Sequence, residues 1–272
     1  MGRTCGVLGD PIEHSLSPVL HAAGYAALGL DWSYAAHRVA SGGLPDFLAG
    51  LGPEWRGLSL TMPLKREAVP LVDDLTERAR LAGGANTIVL DGGTLRGDNT
   101  DIPGAIAAIR ERTTAPLATA VVLGGGATAT SIGLALADLG VRTLEVVVRS
   151  PERAVETLEA VRAHPGHPEV GVSRLDEAGR FEVDLVASTI PAEAQDDRLV
   201  RACGDVPTLF EIVYHPWPTP LAASAGDRVL VSGFDLLLHQ AAVQFELFTG
   251  EPAPVDAMRA AGEDALAGRR AS

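Results

Sequence analysis

Four short polar motifs near the N-terminal end carry the residue types that could do chemistry: Ser15-Leu-Ser-Pro18, Ser59-Leu-Thr-Met-Pro-Leu-Lys65, Gly84-Ala-Asn-Thr87 and Gly97-Asp-Asn-Thr-Asp101. Together they supply hydroxyls, amides, a lysine and a carboxylate, a set suited to holding a polyhydroxylated small molecule and moving a proton. No nucleophile-base triad accompanies them. Taken singly, Lys65 at a helix start would be a solvated surface residue and Asp101 before Ile-Pro an N-cap. It is the motifs around them that single them out.

A second chemical signal follows. The segment from Ala120 is an apolar strand ending in Gly124, Gly125 and Gly126, and it runs through Ala127 and Ala129 into a helical pattern. This strand-turn-helix context gives a GxGxxG/A spacing its meaning. Gly124 would permit the tight turn, Gly126 would let backbone approach a pyrophosphate, and Ala129 would let the helix sit close on the strand. The helix N-terminus would add unpaired N–H groups. The next strand, Leu-Glu-Val-Val-Val, ends at Arg149-Ser150, where an NAD enzyme would place an acid against the ribose 2′-hydroxyl. Arg149 and, one turn on, Arg153 would instead pair with a 2′-phosphate. Ser150 would add a hydroxyl and cap a helix starting at Pro151. NADP is therefore expected rather than NAD.

These groups need elements to position them. Strand-length apolar runs (Cys-Gly-Val-Leu-Gly, Trp-Ser-Tyr-Ala-Ala-His-Arg-Val, Leu-Ser-Leu, Asn-Thr-Ile-Val-Leu) alternate with helical patterns over 17–29, 43–51 and 74–81. From about residue 103 a second alternating series begins, with helices over 128–139 and 151–162, in the rhythm of a doubly wound sheet. From Phe234 onward the chain is helical by spacing, with Leu237, Ala241, Phe245 and Phe248 on one stripe and Gly250 as a stop. That stripe must be buried somewhere, so these helices are expected to return to the first domain. The Ala-rich C-terminus is expected to fray. The expected architecture is α/β in two domains: an α/β substrate domain with a mostly parallel sheet (1–102 plus 236–272) and a Rossmann-like doubly wound NADP-binding domain (103–235), with linkers near 102–104 and 232–235.

Bulk properties agree. The chain has 272 residues and 46% hydrophobic residues, an ordinary globular fraction with room for two cores. Its net charge of -13 opposes binding to nucleic acid and to anionic membranes. Cys5 and Cys203 lie far apart, leaving neither a disulfide framework nor a zinc site to expect, and a reducing, cytoplasmic setting fits. No stretch has a signal-peptide pattern or approaches the roughly 18 apolar residues of a membrane span.

At the four polar motifs the chain resembles the shikimate dehydrogenase family, whose SxSP, NVTxPxK, GAxNT and GxNTD motifs occur in this order at similar spacing. The resemblance continues through the glycine turn, Thr189-Ile-Pro191, Tyr214-His-Pro-Trp-Pro-Thr219 and Gly233-Phe-Asp-Leu-Leu-Leu-His-Gln240, and so covers nearly the whole chain. It implies that Ser15 and Ser17 bond a substrate carboxylate. It implies that Thr61, Asn86, Asp101 and Gln240 hold ring hydroxyls, that Tyr214 lines the same site, and that Thr189 and Gly233 belong to the cofactor site. Lys65 would protonate the carbonyl oxygen as hydride arrives, and Asp101 would orient the hydroxyl and tune the lysine. Two residues depart from the pattern: Ser59 stands where the family usually has Asn, and Val148 precedes Arg149 where Asn-Arg-Thr is common. A serine at 59 would reach its substrate through a water or by a shift of the chain.

The implied activity is reversible NADPH-dependent reduction of 3-dehydroshikimate to shikimate, a step of chorismate and aromatic amino acid biosynthesis, in a monomer or homodimer. Quinate or aminoshikimate dehydrogenase is the alternative, to be separated by turnover. A non-catalytic shikimate- and NADP-binding sensor is the other, and Lys65 and Asp101 argue against it. A purely structural protein would need none of these motifs together.

Overall fold

Within Arg3–Gly9 the residues from Cys5 onward are apolar and buried without alternation, as a strand covered on both faces must be. This run forms the strand β1 in the computed structural model, which describes residues 2–271. The chain divides into two units: residues up to Thr100 together with Leu237 onward, and Asp101–Leu236.

In the first unit β1 is followed by α1 (Ser17–Ala27), β2 (Trp32–Arg38), α2 (Leu44–Ala49), β3 (Trp55–Leu60), α3 (Leu64–Glu67), β4 (Asp74–Leu75), α4 (Glu77–Ala82), β5 (Thr87–Asp91) and β6 (Thr94–Asp98). The strands form one six-stranded sheet in the order β2-β1-β3-β5-β6-β4. The pairs β1-β2, β1-β3 and β4-β6 are parallel, and β5 runs antiparallel to both neighbours. The β5-β6 hairpin turns on Gly92-Gly93, with φ of 57° and 89°, a conformation glycine adopts at no steric cost. The spacing had suggested a helix over 74–81. Instead Asp74 and Leu75 pair with β6, and the helix starts only at Glu77, because the Thr76 hydroxyl accepts from the Ala79 N–H at 3.3 Å and caps it there.

The second unit runs α5 (Asp101–Arg112), β7 (Thr119–Leu123), α6 (Ala127–Asp138), β8 (Thr143–Val148), α7 (Val155–Arg162), β9 (Glu169–Arg174), β10 (Leu185–Ser188), α8 (Asp197–Ala202), β11 (Thr208–Glu211), α9 (Pro220–Ala223) and β12 (Val229–Ser232). Its sheet is wholly parallel, in the order β12-β11-β10-β7-β8-β9. The strand order reverses between β7 and β10, the place where doubly wound sheets bind ligands beyond the strands' carboxyl ends. Residues 102–104 lie in the first turn of α5, and 232–235 at the junction of β12 with α10 (Gly233–Thr249). The helix expected over 151–162 is a 3₁₀ turn over Pro151–Ala154 followed by α7.

The C-terminal segment, expected to fray, is helical over the described residues. Helix α11 (Val255–Ala271) packs on α1, with Met258 fully buried. The apolar stripe of α10 is buried in the first unit, where Phe245 and Phe248 have no exposed surface. Their approach requires glycine: a Cβ on Gly24 would sit 2.7 Å from the Phe245 ring, and one on Gly57 of β3 2.1 Å from that of Phe248. Arg56 fastens the same end by donating to the carbonyls of Phe248 at 3.1 Å and Leu90 at 2.7 Å. Gly57→Ala is expected to displace Phe248 and lower the unfolding free energy by about 1–3 kcal/mol, as overpacking does. Chemical denaturation reads this directly; an unchanged midpoint would mean that Phe248 does not hold α10 against the sheet.

Candidate functional site

The polar motifs of the first unit meet around one buried carboxamide. Asn86, at the head of β5, is 2% exposed. Its side-chain oxygen accepts from the Thr100 N–H at 2.7 Å, the Thr100 hydroxyl at 3.1 Å and the Thr87 hydroxyl at 2.9 Å. Its amide donates to the Thr100 hydroxyl at 3.0 Å and to Gln240 Oε1 at 3.3 Å. Asn99 donates to the Gly84 carbonyl at 3.0 Å. The third and fourth motifs are therefore stitched to each other and to α10.

The loop that ends β6 is anchored from behind. Asp98, 3% exposed, accepts from Arg78 Nε and Nη2 at 2.7 and 2.6 Å, from the Thr76 hydroxyl at 2.7 Å and from the Asn99 N–H at 2.7 Å. Burial alone would raise this carboxyl, but the bonds from Arg78, then Thr76, together with the Arg78 charge, outweigh it and hold the group below the usual carboxylate range. Asp101, three residues on, is 5% exposed and opens α5.

Ser59, on β3, is the second junction. Its hydroxyl accepts from the Tyr34 hydroxyl at 2.6 Å and donates to Gln244 Oε1 at 2.7 Å. Both partners are protein groups, so neither a bridging water nor a chain shift is needed to satisfy the serine. Burial pushes the Tyr34 phenol well above the ordinary range. The Tyr34 ring stacks on His21 at 4.2 Å, and burial pushes that imidazole down to about 3, keeping it neutral. Ser17 is 4% exposed at the start of α1, and its N–H donates to the half-buried Ser15 hydroxyl at 3.3 Å. Thr61 and Lys65 are half-buried. Lys65 is placed by its backbone, whose carbonyl accepts from the Ala85 N–H at 2.8 Å and so joins α3 to the third motif.

The residues of this assembly not nominated from sequence include Tyr34, Thr87, Thr100 and Gln244. Thr87 and Thr100 lay inside quoted motifs. Gln244 lies one helical turn beyond Gln240, a spacing that puts both on one face of α10. Tyr34 sits on an edge strand with no local signal.

In the second unit Gly124 has φ of 113°, and a Cβ there would meet the Thr189 hydroxyl at 2.2 Å. Thr189, just past β10, donates from both N–H and hydroxyl to the Leu123 carbonyl at 2.9 and 2.8 Å. The two sides of the strand-order reversal are thus tied together. Gly125 is crowded by the Arg153 carbonyl, 2.5 Å from a Cβ position. Gly126 differs: it is exposed, its φ is -92°, and no atom lies within 4 Å of a Cβ position. Nothing within the protein crowds a side chain at that position. Ala127 is half-buried and Ala129 fully buried in α6.

Arg149 and Arg153 are exposed, and Arg149 lines a cavity of about 400 Å³ with the charged residues Arg174, Asp176, Asp196 and Arg198, Arg174 being paired with Asp176. Ser150 does not cap the following turn; its hydroxyl donates to the Glu152 carboxylate. Gly233 is explained by packing, since a Cβ would meet the Ile212 carbonyl at 2.0 Å. Tyr214 is half-buried beyond β11. The glycine turn, the open face at Gly126 and the arginine-lined cavity fit a phosphorylated dinucleotide.

A family model described as the shikimate dehydrogenase substrate binding domain matches residues 7–88, and one described as the shikimate 5′-dehydrogenase C-terminal domain matches 233–261. A shikimate dehydrogenase (NADP(+)) of Desulfitobacterium hafniense is 34% identical, over 98% of this chain and 100% of that protein. The chain belongs to the shikimate dehydrogenase family. Its likeness to a solved family member, the shikimate dehydrogenase of Mycobacterium tuberculosis, is 40% identity and a TM-score of 0.87, covering 97% of this chain and 99% of that one. A quinate dehydrogenase from Corynebacterium glutamicum, solved in complex with NAD, is similar at 27% identity and a TM-score of 0.86, covering 97% and 99%. Among the described residues no helix is long and apolar enough to cross a membrane.

The anchor beneath the fourth motif has a pH signature. Asp98 is held below its unfolded value, so its stabilisation is present above that unfolded value and is lost as pH falls through the folded one. Asp235, paired with Arg112 at 2.6 Å and likewise held low, acts in the same direction. Asp98→Asn is expected to flatten part of the acid-side decline in unfolding free energy between neutral pH and the carboxylate range; denaturant titrations across that range would show a parallel curve if Asp98 were not involved.

Proposed function

We propose that the protein catalyses the reversible reduction of 3-dehydroshikimate to shikimate with NADPH, and that quinate and aminoshikimate are the nearest competing substrates. The observation that carries this reading is the meeting of Asn86, Thr100 and Gln240 beside the Ser59-Gln244 junction in the unit that also bears Lys65. This is a dense set of hydroxyls and amides of the kind a polyol acid requires. Residues 1–102 with 236–272 are proposed to bind substrate, and residues 103–235 NADP.

In this reading Ser15 and Ser17 donate to the ring carboxylate, and Thr61, Asn86, Asp101 and Gln240 fix the ring hydroxyls, with Tyr214 against the same ligand. Bound NADPH supplies the hydride. Reduction builds charge on the carbonyl oxygen, and the ammonium of Lys65 supplies the proton there; in reverse its amine accepts the proton from the alcohol. Asp101 orients the reacting hydroxyl. Arg149 and Arg153 hold the 2′-phosphate by charge-assisted bonds, and Gly124–Ala127, Ala129, Ser150, Thr189 and Gly233 shape the remainder of the cofactor site. A cytoplasmic monomer or homodimer that binds no nucleic acid accords with a net charge of -13.

The test follows absorbance at the NADPH band with shikimate, quinate and aminoshikimate side by side, each with NADP and NAD. Turnover of shikimate with NADP is expected; turnover only with quinate or only with NAD would move the reading to the relative concerned, and binding without turnover to a sensor. Lys65→Ala is expected to lower kcat by about a hundredfold or more with little change in KM, because general acid catalysis acts in the transition state. A variant that kept most of its turnover would remove Lys65 from that role. Gly126→Ala is expected to raise the NADP KM about tenfold, equivalent to roughly 1.4 kcal/mol of binding, without moving the thermal midpoint. Equal KM values would leave the open face of that glycine unexplained.

A further inference from the structure

We propose that Gln244 is a positioning residue of the substrate site: it sets the direction in which Ser59 and Tyr34 donate their hydrogen bonds, and through them which hydrogen-bonding role Ser59 offers to a ligand. The inference rests on the substrate reading above, because it assigns a role within that same site.

The argument begins at a backbone carbonyl. Gln244 is 1% exposed, so its amide must find its partners within the protein. Its Nε2 lies 3.3 Å from the Asn86 carbonyl oxygen and 2.9 Å from the Thr87 hydroxyl. A backbone carbonyl can only accept, so the nitrogen end of the amide must face Asn86 and the oxygen end must face away. That oxygen lies 2.7 Å from the Ser59 hydroxyl, which must therefore donate to it. Having given its one hydrogen to Gln244, Ser59 can only accept from Tyr34, whose hydroxyl lies 2.6 Å away. The Tyr34 hydrogen is thereby committed to Ser59, whose oxygen is left with acceptor capacity only.

One amide orientation thus propagates through two hydroxyls that could otherwise rotate either way. Without it Ser59 and Tyr34 would each have two hydrogen positions, and a ligand arriving beside Ser59 would meet a mixture of them. Ordering these hydrogens in advance lowers the cost of binding. Gln240 has the same arrangement one turn earlier on α10, with Nε2 bonded to the Leu237 carbonyl at 2.9 Å and Oε1 turned toward Asn86. Both amides that α10 brings to the site are oriented by backbone carbonyls.

Two variants test the role. In Gln244→Glu the protonated carboxyl has one donor and one acceptor end, as the amide does, while the carboxylate has acceptors only and faces the Asn86 carbonyl with no hydrogen. The expected result is a shikimate KM close to wild type at low pH that rises about tenfold relative to wild type as the pH is raised. The KM for NADP should stay level, and the melting temperature, recorded at each pH, should stay within a few degrees. Gln244→Met removes both ends. Its shikimate KM should be raised about tenfold at every pH, and adding Ser59→Ala should raise it little further, since the two residues act through one chain.

A Gln244→Glu to wild-type KM ratio that is flat with pH would overturn the proposal. So would parallel losses for both substrates, or a double variant whose effects multiply. If Gln244→Met does not fold, the pH profile of Gln244→Glu decides alone; if neither folds, Gln244 is a packing residue and the proposal falls. Wild-type turnover of shikimate in the same assay is the control: its absence refutes the functional reading, whereas its presence with insensitive Gln244 variants refutes this inference alone.

Discussion

A single buried carboxamide organises the substrate half of this molecule. Asn86 has nearly no solvent to bond, so every lone pair and N–H of its side chain must be met by protein. Meeting them draws in the backbone and hydroxyl of Thr100, the hydroxyl of Thr87 and the amide of Gln240. Three separated segments, β5, the loop after β6 and α10, therefore have one mutually consistent arrangement. A partly satisfied version would leave polar atoms stranded in a low dielectric, which makes the fully bonded one rigid. The Asp98-Arg78 pair holds the loop from outside, and Phe245 and Phe248 hold the helix from below.

The second unit, proposed to hold NADP, is built by different means. A phosphorylated dinucleotide needs close backbone approach and positive charge more than it needs buried amides. The glycines after β7 divide that labour: Gly124 takes the left-handed turn, Gly125 clears the backbone of Arg153, and Gly126 leaves its face open. Glu211, 1% exposed at the end of β11, plays the organising part there that Asn86 plays in the first unit. It accepts from Gln195 at 2.7 Å, Thr219 at 2.8 Å and the Val213 N–H at 3.0 Å, binding together the loops that follow β10 and β11. Burial raises its carboxyl, and these donors offset that only in part.

Much of this was legible in the chain. The glycine turn was readable because an apolar strand and an apolar helix flank it, and Arg149 because it closes the next strand. The alternation of elements announced a doubly wound sheet, and the stripe from Leu237 to Phe248 announced a helix in need of a partner. The misreadings were local. Thr76 stopped a helical pattern that hydrophobic spacing alone would have extended back to 74, and Glu152 took the hydroxyl expected to cap at Ser150. The Gly92-Gly93 hairpin had a two-residue signature that was available but passed over.

Residue types, motif spacing and hydrophobic period belong to the sequence, and they were enough to determine the family, the two kinds of unit and most of the candidate site. The partners of Ser59 were decided only by tertiary structure. Tyr34 comes from an edge strand and Gln244 from a helix 185 residues further along the chain, and nothing local marks either as a neighbour of β3. Hydrogen-bond direction is likewise beyond a sequence's reach: it depends on which backbone carbonyl stands opposite an amide, and that is set when the strand and the helix pack.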